Sequence, residues 1–394
     1  MSVLGLRREP IENVRVGFIG LGMRGPKAVE RFTHLEHATV VALCDKYPEP
    51  VAKTQEILSS HGCSPAATFT GDNGWKRLCE MDGLDLVYVT APWQMHAQIG
   101  IYAMECGKNV ALEVPAATTV EECWALVETA ERTRMHCMML ENSCYDDFEL
   151  SCLLMARDGV FGEIVHAEGG YCHNLSAYWD KYRDDWSMRF SVEHRGDVYP
   201  THGLGPLCQL LDIPRKDKLS YLVSMDSGAF AGASLARSRY GSDQSFANGD
   251  ITSTLIRTVS GRSILLQHSV MTPQPYSRLY RIYGTKGYAN KYPVPGFVFG
   301  EGKEFLPEAQ ASALLEKYRH PFQDCLQHAG MALDGHDGID FIMDYRLVEC
   351  LHKGLPLDMD VYDAATWSSI IELSERSIQG GSVPVPIPDF YAPQ

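Results

Sequence analysis

Tyr199-Pro200-Thr201-His202 places a phenol and an imidazole three residues apart, on one face if the segment opens a helix. Histidine exchanges protons near neutral pH, and a phenol does so when a nearby cation or hydrogen-bond donor lowers its pKa. The pair can therefore carry general acid–base chemistry. Tyr171, at the end of an apolar run, is a second phenol. By residue type alone a lone histidine or tyrosine is usually structural.

A second constellation lies at the other end of the chain. Val14 to Ile19 is apolar and β-branched enough for a buried parallel strand, Gly20-Leu21-Gly22-Met23-Arg24-Gly25 follows, and a helix begins at Pro26. Strand, G-x-G-x-x-G and helix in that order turn backbone N–H groups and a helix N-terminus toward a pyrophosphate. The next strand, Thr39 to Cys44, runs into Asp45. A carboxylate there accepts from the ribose hydroxyls of a dinucleotide and repels a 2′-phosphate, which favours NAD over NADP.

The elements that must position these groups follow from periodicity. Strands at Leu84–Thr90, Asn109–Leu112 and Cys137–Leu140 alternate with helices at 47–61, 97–106 and 120–134. This alternation predicts a doubly wound parallel sheet, with ligands beyond the carboxyl ends of its strands. The residues there are Met23 and Arg24, Asp45, Trp93-Gln94-Met95-His96, Glu113-Val114-Pro115 and Glu141-Asn142, with His96 placed to cap the following helix. After Asn142 longer strands dominate: Ile164–Cys172, Tyr221–Ser227, Ile251–Val259, Arg262–Val270 and Ser277–Tyr283 read as an antiparallel sheet. Helices follow at Glu308–Lys317, Asp340–Lys353 and Ala364–Gln379, and a Pro-rich surface tail starts at Val383. The fold class is α/β: an N-terminal Rossmann domain over 1–142 and a C-terminal α+β domain over 143–394 with a mostly antiparallel sheet. Its last helices are expected to pack back on the first domain.

Composition narrows the function. The chain has 394 residues, 45% hydrophobic and 22% charged, with a net charge of −15. That charge and the lack of a basic run argue against nucleic acid as a partner. No apolar stretch is long enough for a bilayer, so no membrane partner is expected. Met1 to Asn13 lacks the apolar region of a signal peptide, and the expected location of the sequence as given is cytoplasmic. Twelve cysteines without a C-x-x-C pair, several inside apolar segments, read as reduced thiols. His336 and Asp340 stand four residues apart but lack a convincing third ligand. No metal is expected, and the two read as helix surface or pocket wall.

The order of elements resembles the Gfo/Idh/MocA oxidoreductases, and within them the NAD-dependent α-N-acetylgalactosaminidases of glycoside hydrolase family 109. The resemblance rests on Gly22-Met23-Arg24-Gly25, Trp93-Gln94-Met95-His96, Glu113-Val114-Pro115-Ala116-Ala117, Glu141-Asn142 with Tyr145, and Tyr199-Pro200-Thr201-His202-Gly203-Leu204-Gly205-Pro206. Pro273 to Ser277, Gly284 to Gly287, and segments from Asp340 to Asp363 add to it. The dehydrogenases carry Glu-Lys-Pro where this chain has Glu113-Val114-Pro115, and valine can neither donate nor titrate.

The resemblance implies a glycoside substrate and tightly held NAD⁺ used catalytically. The sugar is oxidised at C3, loses its C2 proton, eliminates the aglycone, adds water and is reduced again. It implies cofactor contacts from Gly20, Gly22, Met23, Arg24, Gly25, Asp45, Trp93, Gln94, Met95, His96, Glu113, Val114, Asn142, Tyr199 and Tyr276. It implies sugar contacts from Tyr171, Tyr199, Pro200, Thr201 and His202, with His202 taking the C3 hydroxyl proton and Tyr171 the C2 proton, or the reverse. The family has an arginine shortly after a tryptophan; here Trp186 is followed by Ser187, and the resemblance implies that Arg189, the nearest arginine, contacts the sugar through a two-residue shift, or else that the pocket binds a different sugar. A homo-oligomer is expected by analogy. The alternatives are an NAD-dependent sugar 3-dehydrogenase or glycoside lyase, and a non-catalytic NAD-binding regulator.

Overall fold

The structure, a computed structural model, describes residues 2–178, 186–241, 243–325 and 338–391. The chain divides into two compact units, Met1–Glu141 with Phe322–Ala365, and Asn142–Pro321 with Thr366–Gln394.

The first unit opens with β1 (Val14–Ile19), α1 (Gly25–Phe32), β2 (Ala38–Asp45), α2 (Pro48–Ser60), β3 (Ala67–Thr70) and α3 (Gly74–Cys79). It continues with β4 (Leu86–Val89), α4 (Trp93–Glu105), β5 (Asn109–Leu112), α5 (Val120–Thr133) and β6 (Cys137–Met139). The strands form one parallel sheet in the order β3-β2-β1-β4-β5-β6. The order reverses between β1 and β4, the switch point at which such sheets bind ligands. Every residue of β4 and β5 is buried, as strands covered on both faces require. Phe18, Phe32 and Tyr88 stack edge-on or tilted at 4.8–5.5 Å and fix α1 against the sheet. Thr119 and Glu122 close a reciprocal capping box at the start of α5. β3 and α3 carried no sequence signal, because β3 is a four-residue edge strand without a buried side.

The second unit holds α6 (Asp147–Arg157), β7 (Ile164–Cys172), α7 (Trp186–Glu193), α8 (Thr201–Leu210), β8 (Leu219–Asp226) and α9 (Ala231–Tyr240). β9 (Thr252–Thr258), β10 (Ser263–Ser269), β11 (Arg281–Gly284), β12 (Gly287–Asn290), β13 (Gly296–Phe299) and α10 (Glu308–Lys317) follow. α11 (Ile339–Lys353) belongs to the first unit, α12 (Val361–Ser368) begins in it, and α13 (Ile370–Gln379) and β14 (Val385–Pro386) complete the second. The second unit's sheet has eight strands, ordered β13-β12-β11-β7-β10-β9-β8-β14. It is mostly antiparallel, but β7 and β10 pair in parallel.

Several expectations need correction. The strand expected over Ser277–Tyr283 starts only at Arg281, because Leu279 and Tyr280 adopt φ of +60° and +46°, which a strand cannot accommodate. The helix expected over 364–379 is two helices meeting at Ser369. The Pro-rich end is not a surface tail: Val385 and Pro386 pair with Leu222 and Tyr221 of β8, and Ile387 and Phe390 are buried. Asp340 is neither helix surface nor pocket wall but fully buried, and His336 lies outside the described residues. Among the described residues, no helix is long and apolar enough to cross a membrane, and no group of three His, Cys, Asp or Glu side chains is placed to hold a metal.

Candidate active site

In the first unit, the carboxyl ends of β2, β1, β4 and β5 lie side by side and carry the cofactor residues predicted between Gly20 and Val114; Asn142, Tyr199 and Tyr276 belong to the second unit. Gly20 takes φ +93°, and a Cβ there would lie 2.6 Å from the Thr90–Ala91 backbone. A Cβ on Gly25 would collide with the Gly20 carbonyl oxygen, whereas one on Gly22 would meet nothing within 4 Å. The turn is thus closed at its two ends and open at its centre, the shape a pyrophosphate needs over the start of α1. No side chain caps that helix start.

Asp45 pins the turn. Its Oδ2 accepts the Leu21 N–H at 2.8 Å and its Oδ1 the Tyr47 N–H at 2.9 Å. A carboxylate has further lone pairs, so both bonds are compatible with accepting ribose hydroxyls. The residues present fit a dinucleotide.

Arg24 is committed within the protein. Its Nε donates to Glu113 at 3.0 Å, and its Nη1 and Nη2 grip the buried Asp340 at 3.1 and 3.2 Å. Glu113 and Asp340 raise the Arg24 pKa against the opposing effect of burial. The carboxylates continue inward. Arg31 donates to Asp344 at 2.7 Å and Tyr88 donates to it at 2.8 Å, while burial lifts the Asp344 carboxyl to about 6. α11 therefore roots the cofactor turn through two aspartates one helical turn apart. Trp93 to His96 do not precede α4 but form its first turn. His96 is not an N-cap: it is buried, with Nδ1 2.7 Å from the Pro115 carbonyl and Nε2 2.7 Å from that of Ala91. It ties the turn after β4 to the turn after β5, and burial lowers its pKa. Gln94 and Met23 are exposed, and Val114 is buried.

The second unit gathers the proton-exchanging rings. Pro200 caps α8, so Tyr199, Thr201 and His202 crowd the helix start. α8 sits directly on β7 because Gly203 meets the Gly169–Gly170 backbone, where a Cβ on Gly169 or Gly203 would clash. That contact brings Tyr171, at the end of β7, to Tyr199 and His202, with ring centroids 4.9 and 5.1 Å away; Tyr199 and His202 are 5.0 Å apart. His202 Nδ1 lies 3.3 Å from Ser143 Oγ, next to the buried Asn142.

The ring series extends through His173, 4.7 Å from Tyr171 and 5.1 Å from Tyr276. Arg278 donates to the Tyr276 hydroxyl at 3.0 Å and is anchored on Asp146 and Glu149. Tyr171 also packs on the apolar cluster of Met188, Ala236, Val270 and Met271. Arg189 is not placed with these rings: it is exposed in α7, 5.4 Å over the ring of Tyr240. Ser143 and His173 were not singled out by sequence. His173 lies just beyond the end of β7 at Cys172, and neither it nor Ser143 carried a sequence signal.

A Rossmann dinucleotide site and a separate unit rich in proton-exchanging rings define the class of NAD-binding enzymes. Residues 14–141 match the family model described as oxidoreductase family, NAD-binding Rossmann fold, and residues 145–394 match glycosyl hydrolase 109, C-terminal domain. The chain belongs to glycosyl hydrolase family 109, and it is an NAD-dependent glycosidase.

It is 52% identical over 406 residues to glycosyl hydrolase family 109 protein 1 of Bacteroides fragilis, covering 99% of this chain and 88% of that one. It is 47% identical over 400 residues to a protein of the same species named alpha-N-acetylgalactosaminidase, covering 98% and 94%. In fold it is similar to levoglucosan dehydrogenase in complex with NADH and levoglucosan, with a TM-score of 0.72 at 17% identity, covering 95% of this chain and 100% of that one.

Proposed function

We propose that this enzyme cleaves an α-N-acetylgalactosaminide, or a closely related glycoside, by transient oxidation of the sugar. The observation that carries the reading is the meeting of Tyr171, Tyr199 and His202, three rings able to exchange or steer protons, on one glycine-built crossing of strand and helix. The sugar preference draws on the relative named alpha-N-acetylgalactosaminidase.

When bound, NAD⁺ supplies a reversible hydride acceptor at C3 of the sugar. His202, with Nδ1 turned to Ser143, takes the C3 hydroxyl proton at its other ring nitrogen. The resulting ketone acidifies the neighbouring C2–H, and the Tyr171 phenolate oxygen removes that proton. The C2 electron pair forms a C1=C2 bond as the C1–O bond breaks, and the leaving oxygen takes a proton from solvent. Water then adds, its hydroxyl to C1 and its remaining proton to solvent, while a proton returns to C2 from Tyr171. His202 returns the O3 proton as the ketone is reduced, so nothing is oxidised overall. Tyr199 orients the sugar.

A direct-displacement glycosidase would need two flanking carboxylates in place of these rings. Val114, which cannot titrate, stands where the dehydrogenases carry a lysine, and this favours hydrolysis over a net dehydrogenase. The proposal includes a homo-oligomer, supported by exposed Tyr221, Met225 and Leu255 along β8 and β9 and Val259 just beyond β9; a monomeric mass in light scattering would contradict it.

The test is aryl release from a panel of aryl glycosides with no nicotinamide added, for the wild type and for His202→Ala. Release by the wild type, and its loss in a variant that keeps bound NAD, supports the reading. Stoichiometric NADH on addition of NAD⁺, without release, would replace it by a sugar dehydrogenase.

A further inference from the structure

The six residues His194 to Tyr199, which run into the ring cluster, form a clamped stretch of the second unit. Five of these six residues hold a partner from elsewhere in the fold or from the stretch itself. Glu375 of α13 binds the His194 ring at 3.0 Å and the Arg195 N–H at 2.9 Å. Arg195 in turn forms a two-point pair with Asp226 at the end of β8. The Gly196 carbonyl accepts from Asn248 Nδ2 at 2.9 Å and from Thr252 Oγ1 at 3.1 Å. Gly196 itself sits at φ +90°, and a Cβ there would collide with Ser374 Oγ. Ser374 Oγ accepts the Asp197 N–H at 2.9 Å.

Asp197 is the last clamped residue before the rings. It is 2% exposed, and its Oδ1 accepts the Tyr199 backbone N–H at 3.2 Å. That bond bends the chain over Val198 and sets the direction in which Tyr199 enters Pro200 and α8. The mechanism above gives this buried carboxyl no proton to move. A carboxyl in so dry a place needs its hydrogen bonds, and burial lifts it to about 7. Either protonation state keeps an oxygen able to accept the Tyr199 N–H, and so does an amide.

We propose that Asp197 is a positioning residue for Tyr199 and His202, fixed from behind by Ser374 of α13. It acts through the backbone and touches neither sugar nor cofactor in this role. The inference rests on the proposed function for its kinetic readout, and a spectroscopic readout keeps the two separable.

The experiment compares Asp197→Ala, Asp197→Asn and Ser374→Ala with the wild type. The measurements are kcat and KM for an aryl glycoside, bound NAD per chain, the thermal midpoint, and the NMR shift of the His202 ring proton assigned with His202→Gln. A displacement near 1 Å of a reacting group costs about 100-fold in rate. Asp197→Ala is therefore expected to lose about that much in kcat, with KM within about twofold, NAD content unchanged and the His202 resonance moved. Asp197→Asn is expected to recover to within a few-fold, and Ser374→Ala to fall between.

Full activity and an unmoved resonance in Asp197→Ala would overturn the proposal. So would an Asn variant as impaired as Ala, or a loss that tracks NAD content or thermal midpoint in all three variants. If the wild type released no aryl alcohol, the functional reading would fall, and the His202 resonance would still decide the role of Asp197.

Discussion

Asp340→Ala tests whether α11 roots the cofactor turn. The carboxylate is fully buried, grips Arg24 at two points at 3.1 and 3.2 Å, and lies 3.7 Å from Arg31. Removing one partner of a buried pair costs about 3–5 kcal/mol. The Arg24 side chain is 27% exposed and keeps Glu113, so the lower figure applies, about 3 kcal/mol. For a unit of this size that lowers the unfolding midpoint by about 6–12 °C. Calorimetry on the intact chain reads the shift. Bound NAD, counted after gel filtration, should fall with it, because Arg24 and Glu113 flank the glycine turn. Asp340→Asn keeps an acceptor and should lose roughly half as much. A midpoint within about 2 °C of wild type, with full NAD retention, would refute the reasoning.

Two further outcomes follow from the first unit. Burial, helped by Arg8, lowers His136 to about 4, so below its ordinary 6.5 the unfolded chain takes up a proton that the folded chain refuses. Acidification from pH 7 to 4.5 should therefore remove about 2–3 kcal/mol through this group alone. Urea unfolding of His136→Gln at both pH values should lack that loss; an unchanged pH dependence would contradict it. Gly22→Ala should leave the thermal midpoint unchanged yet weaken NAD retention, since its methyl enters open space in the cradle, whereas Gly25→Ala should lower both. Equal behaviour of the two variants would show that the cradle is misassigned.

Much of the first unit was legible because each strand other than β3 is a short apolar run between helix signals; Asn109–Leu112 matches its expected bounds. The second unit was harder to read. The parallel pairing of β7 with β10 depends on contacts far apart in sequence. α8 contains Gly203, Gly205 and Pro206, residues that weaken a helix prediction, although Gly203 is what lets the helix touch the strand. At the candidate site, residue types pointed to Tyr171, Tyr199 and His202, which the fold brings together. The resemblance also offered Arg189, which lies over the ring of Tyr240. Sequence also offered Arg24 as a direct ligand, without showing that Glu113 and Asp340 hold its guanidinium. Asp197 and Ser374 gave no signal at all: a buried carboxyl that accepts one backbone N–H, and a serine far along the chain that braces it, are visible only in three dimensions.

The central claim is that glycoside cleavage here proceeds through a ketone at C3 and loss of the C2 proton. The most direct measurement runs turnover of an aryl α-N-acetylgalactosaminide in D₂O with no added nicotinamide, and follows deuterium at C2 of the released sugar. The account predicts aryl release with deuterium at C2 and no net NADH. Aryl release with C2 fully protonated would contradict it.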